Sequence, residues 1–81
     1  MLAELQNSRY FVGLKQSTEA IKNGNAAKAY VANDADEHVR LPFVALCESY
    51  GVPVEFCESK AVLGKKFGIE VGSACAVILK D

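Results

Sequence analysis

The stretch Val12-Gly13-Leu14-Lys15-Gln16-Ser17-Thr18-Glu19 joins an apolar run to an amphipathic pattern and sets polar side chains on the first turn that follows. It reads as a strand, a glycine turn and a helix N-terminus. The first backbone N–H groups of a helix have no intrahelical partner, and the macrodipole adds partial positive charge, so such an end suits an anion such as phosphate. Lys15 and Gln16 extend these donors outward. Most strand-glycine-helix junctions only reverse the chain, so the rest of the sequence has to decide what this one does.

A second group with possible chemistry is basic. Lys60, Lys65 and Lys66 fall within seven residues on a predicted helix that Ser59 caps and that runs to about Phe67. Directly after it, Gly68-Ile69-Glu70-Val71-Gly72-Ser73 places two β-branched apolar residues in a glycine-bracketed loop. Ile69 and Val71 either tuck into the core or form a small apolar finger. Cys47, Cys57 and Cys75 are widely separated, with no Cys-x-x-Cys pair and only His38 as an imidazole partner. They read as buried free thiols of a reducing compartment, with no metal and no catalytic constellation in view.

The elements that must position these residues follow from patterning. Leu2 to Ser8 predicts two helical turns, and Tyr10-Phe11-Val12 a strand. From Leu14, the positions Leu14, Ser17, Thr18 and Ile21 form the inner side of a helix that Gly24 stops, while Lys15, Glu19 and Lys22 are spaced to pair along its outer face. Lys28 to Asn33 reads as a central strand ended by the Asp34-Ala35-Asp36 turn. Asp36 caps a turn over Glu37 to Arg40, and Pro42 predicts a break with a fresh helical start. Phe43, Leu46, Cys47 and Tyr50 then form an apolar stripe closed by Gly51. Val52 to Cys57 is a strand with Pro53 at its entrance, the next helix turns Val62, Leu63 and Phe67 inward, and Ala74 to Leu79 is the last strand. Alternation of strand and helix predicts an α/β domain with helices on both faces of a sheet of four strands, with about four helices and some parallel pairing.

Composition bounds the function. With 81 residues, 51% of them apolar, residues 1–81 form a single domain with a small core. No apolar run spans a bilayer, and the start of the chain lacks a basic stretch followed by an apolar one, so a cytoplasmic protein with no membrane partner is expected. A net charge of −1 and a pI of about 5.8 do not support general attraction to nucleic acid, so any such binding must come from a local cluster.

Four segments, in order, resemble the kink-turn RNA-binding ribosomal protein family, the archaeal L-seven-A-e and eukaryotic L-thirty-e type with short bacterial members. They are Gly13-Leu-Lys-Gln-Ser-Thr, Ala27-Lys-Ala-Tyr-Val-Ala-Asn-Asp-Ala-Asp, Leu46-Cys-Glu-Ser-Tyr-Gly-Val-Pro-Val and Ser59-Lys-Ala-Val-Leu-Gly-Lys-Lys-Phe-Gly-Ile-Glu-Val-Gly. The resemblance covers nearly the whole chain. It implies a three-layer α/β/α sandwich with a four-stranded mixed sheet, no enzymatic activity, and binding to a kinked ribosomal or regulatory RNA; no cofactor is expected, and with no obvious interface in the sequence a monomer is expected. It implies that Gly13, Lys15 and Gln16 meet guanine edges, that Lys60 also lies in the RNA footprint, and that Ile69, Glu70 and Val71 hold an extruded nucleotide. Lys60, Lys65 and Lys66 can then face phosphates. The chain departs from the family pattern at Glu19, where a lysine is usual, which places a carboxylate in the implied footprint. Two other functions are compatible with the residues: a nucleotide- or small-molecule-binding α/β protein using the Gly13 helix end, and a protein-interaction adaptor of the same fold that has lost RNA binding. The first would need further glycines after Gly13 and an acidic ribose partner, which are not both present.

Overall fold

The computed structural model describes residues 9–69 and 72–80. The helix expected over Leu2 to Ser8 lies outside them. In chain order the described elements are β1 (Tyr10–Val12), α1 (Leu14–Lys22), β2 (Ala26–Ala32), α2 (Glu37–Ser49), β3 (Val54–Cys57), α3 (Lys60–Lys66) and β4 (Cys75–Leu79). The strands form one sheet in the order β1-β4-β2-β3, with β4 antiparallel to both β1 and β2, and β2 parallel to β3.

Side chains of a strand alternate between the two faces, and here both faces of β2 and β4 are buried. Ala29, Val31, Cys75 and Val77 face Ala20 and Ile21 of α1 and Phe43 and Cys47 of α2. Tyr30, Ala32, Ala76 and Ile78 face Leu63 and Phe67 at the other side, where α3 packs. The result is the three-layer α/β/α sandwich with a four-stranded mixed sheet, two helices on one face and one on the other among the described residues. The three free cysteines are buried, and burial pushes the Cys47 thiol up to about 11 and the Cys75 thiol up to about 12, and raises Cys57 as well, which favours the thiol over the thiolate.

Caps and stops follow the sequence. Asp36 accepts from the His38 N–H at 2.8 Å and starts α2, the Ser59 hydroxyl accepts from the Val62 N–H at 3.1 Å and starts α3, and Gly24 and Gly51 turn the chain with positive φ. Five details differ from the patterning. Pro42 does not break α2, which runs unbroken from Glu37 to Ser49. The proline removes one N–H bond near an exposed surface, where the His38 carbonyl it would have satisfied can be hydrated, and packing of Phe43 and Cys47 outweighs that loss. Tyr50, expected in the stripe, is the C-cap and half exposed, because the helix ends before its side chain reaches the sheet. Val62 points out and Leu63 in, and Leu14 is exposed at the start of α1, since a short helix on a flat sheet buries a narrower stripe than the count of apolar positions suggests. On α1, no ion pair among the described residues links Lys15, Glu19 or Lys22, in keeping with the small gain of an exposed pair against side-chain entropy.

Ser17 is fully buried in α1 and its hydroxyl has no partner among the described residues. A buried unpaired hydroxyl costs about 1–3 kcal/mol, so Ser17→Ala, which removes the group with almost no loss of volume, is expected to raise the melting temperature. A thermal melt in which Ser17→Ala unfolds at the wild-type temperature or below would show that the hydroxyl finds a partner in solution.

Candidate nucleic-acid interface

The strand register brings four chain segments to one end of the sheet. Val12 at the end of β1 pairs with Ala76, Val31 near the end of β2 pairs with Cys75, and Cys57 at the end of β3 pairs with Ala32. The N-termini of α1, α2 and α3 and the loop entering β4 therefore share one edge. Open α/β sheets commonly bind their ligands at such a carboxyl edge.

Gly13 forms the first corner. Its φ of 112° and ψ of 155° lie where side-chain-bearing residues are strained, although a Cβ there would meet nothing within 4 Å. Its N–H donates to the Cys75 carbonyl at 2.9 Å, and its own carbonyl accepts the first bond of α1 from Ser17 at 3.1 Å. No side chain caps α1, and Lys15, Gln16 and Glu19 are exposed. Lys15 and Gln16 stand on the first turn, with Glu19 one turn further on.

On the other face, Lys60 opens α3, exposed, with its backbone N–H held by the Asp34 carboxylate at 2.8 Å. Its carbonyl accepts from the Ser73 N–H at 3.2 Å, and Gly72 packs so closely that a Cβ on it would lie 3.0 Å from the Lys60 carbonyl carbon. Only a glycine fits there without a shift of the chain. Ile69 is partly buried, its N–H bonded to the Gly64 carbonyl at 3.0 Å, so its backbone is anchored to α3. Glu70 and Val71, the remainder of the expected nucleotide-holding loop, lie outside the described residues.

The three lysines of α3 divide. Lys60 stands at the edge, Lys65 is exposed near the far end of the helix, and Lys66 is partly buried with its ammonium 3.9 Å from Glu55 and over the Tyr30 ring at 5.5 Å. Glu55 also pairs with Lys28 at 2.7 Å, and that hydrogen bond holds the Glu55 carboxyl below, and the Lys28 ammonium above, its usual range. Lys66 is thus directed along the sheet surface, not to the edge that gathers Gly13, Lys15, Gln16 and Lys60. Sequence reasoning placed Asp34 in a turn and Gly72 and Ser73 in a loop but did not foresee their contacts with Lys60; an aspartate after a strand signals a turn, and nothing in the sequence says that it caps a helix 26 residues away. No group of three or more His, Cys, Asp or Glu among the described residues could hold a metal ion, and no described helix is long and apolar enough to cross a membrane.

Residues 2–81 match the model of the ribosomal protein L7Ae/L30e/S12e/Gadd45 family. A curated RNA-binding protein of Caldanaerobacter subterraneus subsp. tengcongensis is 36% identical over 75 residues, covering 93% of this chain and 92% of the relative. The RNA-binding protein YbxF of Geobacillus stearothermophilus is 37% identical over 76 residues, covering 94% and 93%. Among solved structures, a Giardia lamblia 15.5kD RNA binding protein superposes with a TM-score of 0.83 at 31% identity, over 99% of this chain and 66% of that one. A Bacillus halodurans protein of unknown function shares the fold, with a TM-score of 0.82 at 22% identity, over 98% of this chain and 77% of that one.

Because the strain at Gly13 is torsional, Gly13→Ala is expected to destabilise the fold by about 1–3 kcal/mol with no steric clash to relieve. Urea unfolding measures this. A variant as stable as wild type would mean that the corner relaxes to an ordinary backbone conformation.

Proposed function

The chain belongs to the ribosomal protein L7Ae/L30e/S12e/Gadd45 family, and from that premise we propose that it is a non-enzymatic RNA-binding protein that recognises and stabilises kink-turn RNA. The observation that carries the reading is the convergence, on one sheet edge, of Gly13 with the exposed Lys15 and Gln16 on one side and Lys60 on the other. The named RNA-binding relatives, which align over nearly their whole length, support it.

The chemistry is matched on both sides. Guanine N7 and O6 are acceptors, and an ammonium and an amide NH₂ are donors, so Lys15 and Gln16 suit that edge. Regular A-form RNA hides the edge in a deep, narrow groove, whereas a sharp bend with unstacked bases opens it. A protein that binds only the opened edge shifts the RNA population toward the bent form by its difference in affinity for the two states. The glycine corner matters because a half-buried backbone without a Cβ, with open space where the Cβ would stand, lets the RNA come close beside Lys15. Ile69, Glu70 and Val71 would hold the base expelled at the bend. Lys60 and Lys65 would meet phosphates, and Lys66 contributes less because Glu55 already engages it. The RNA would be ribosomal or regulatory, and the protein a component of the resulting ribonucleoprotein.

Titration of a fluorescent kink-turn duplex, beside an uninterrupted duplex of the same length, tests this. Lys15→Ala and Gln16→Ala should each lose roughly 1–3 kcal/mol of binding to the kinked duplex, the value of a good base-edge contact. Equal affinity for both duplexes, or no loss in either variant, would place the function elsewhere. Glu19→Lys should tighten binding at low salt, since it removes one repulsion and adds one attraction, and the gain should shrink as salt rises. If Glu19→Lys weakens binding while the fold is intact, the carboxylate accepts a base amino group instead of opposing the RNA.

A further inference from the structure

We infer that Asp34 and Ser73 are positioning residues of the RNA interface, acting through one hydrogen-bonded path that locks its two halves together; the inference rests on the RNA-binding reading above. The path begins at Asp34, whose Oδ1 accepts from the Lys60 N–H at 2.8 Å. It continues from the Lys60 carbonyl, which accepts from the Ser73 N–H at 3.2 Å. The Ser73 hydroxyl then donates to the Cys75 carbonyl at 2.9 Å, and the Gly13 N–H donates to that same carbonyl oxygen, also at 2.9 Å. The Cys75 oxygen, with two lone pairs, is satisfied from both sides of the site.

The path is needed because the sheet separates the two groups of reading residues. Lys15 and Gln16 follow Gly13 on α1, which packs on one face, and Lys60 opens α3 on the other. Backbone ladders fix the strands but do not fix the angle at which each helix leaves the edge. Asp34 is not required to start α3, since the Ser59 hydroxyl caps the Val62 N–H. What Asp34 adds is a tie from α3 to the turn after β2, 26 residues away. Asp34 is exposed and in no ion pair among the described residues, so a role as a charge in a surface network does not account for it. Gly72 fits the same picture: its close approach to Lys60 keeps the chain entering β4 against α3 at the distance that the Ser73 bond requires.

A rigid pair of reading surfaces lowers the ordering cost of binding a ligand that touches both. Loosening the path therefore weakens recognition without removing any group that touches RNA. The variants are Asp34→Ala, Asp34→Asn, which keeps an acceptor oxygen and loses the charge, and Ser73→Ala, read by kink-turn titration and by amide hydrogen exchange of the free protein. Asp34→Ala and Ser73→Ala should each weaken binding by about fivefold, and Asp34→Asn by no more than about twofold, the scale of one lost or retained cap. Exchange at the Lys60 amide should quicken in Asp34→Ala and recover in Asp34→Asn. If Asp34→Ala does not fold, Ser73→Ala carries the test alone. Wild-type affinity and exchange in Asp34→Ala or, where that variant does not fold, in Ser73→Ala would overturn the path while leaving the RNA reading standing. Tighter binding in Asp34→Ala would also overturn it, because the carboxylate would then be repelling RNA. A wild-type protein that ignores the kinked duplex removes the RNA reading and the interface role together.

Discussion

Burial of β4 on both faces is the constraint from which the rest of the molecule follows. Cys75, Ala76 and Val77 are fully buried, so helices must cover the strand from both sides. A strand with the order β1-β4-β2 also has antiparallel partners on both edges, which carries its start to the end of the sheet where β1 and β2 finish. Cys75 thereby becomes the point that the Gly13 corner and the returning loop both reach. The helices needed to bury the strand are the same helices whose N-termini then carry Lys15, Gln16 and Lys60 to one edge. Core and site are consequences of one placement.

Small residues make that placement possible. Ala29, Ala32 and Ala76 on the two central strands let helices sit close to the sheet, and Ser17 and Ala20 do the same from α1. The volume they leave is filled by few large side chains, chiefly Phe43 and Ile21 on one face and Leu63 and Phe67 on the other. The opposite face adds an aromatic group, with Phe67 edge-on to both Tyr10 and Tyr30 and the Tyr10 hydroxyl donating to the Phe67 carbonyl at 3.3 Å. This group fixes where α3 ends, and Lys28, Lys66 and Glu55 close over Tyr30 from outside.

Local signals were legible in the sequence because they act between near neighbours. The Asp36 and Ser59 caps, the Gly13 corner and the strand compositions each depend on residues within about one turn, and the structure has the caps and the corner where patterning put them and the strands after β1 shifted at their ends by one or two residues, β2 starting at Ala26 and β3 at Val54. What was not legible depends on distant packing. Pro42 reads as a breaker because its missing N–H is a local fact, whereas the burial of Phe43 and Cys47 that carries α2 through it is not. Tyr50 and Val62 fit an apolar count yet face water, since the count does not say how much sheet lies beneath a short helix. Asp34 shows the same limit within the site: its type marks a turn, and its partner is set only by the fold.

Charge then decides what kind of recognition this edge can support. Beside the exposed Lys15 and Lys60 stand the exposed acidic residues Asp36, Glu37 and Glu58, with Glu19 a turn away. Lys66, which would have added to the positive side, is held by Glu55. Counterion release scales with the number of phosphates neutralised, so an edge of this composition draws little affinity from the RNA backbone as such. The acidic surroundings also disfavour any duplex that offers only phosphates. RNA recognition at this edge, as proposed, would therefore rest on directional donors and on shape, which Lys15, Gln16 and a glycine corner without a Cβ can supply. On the proposed RNA-binding reading, a ligand that exposes its base edges at a bend would satisfy those groups where a regular helix would not, and weak attraction to phosphates alone would leave that difference to decide the choice.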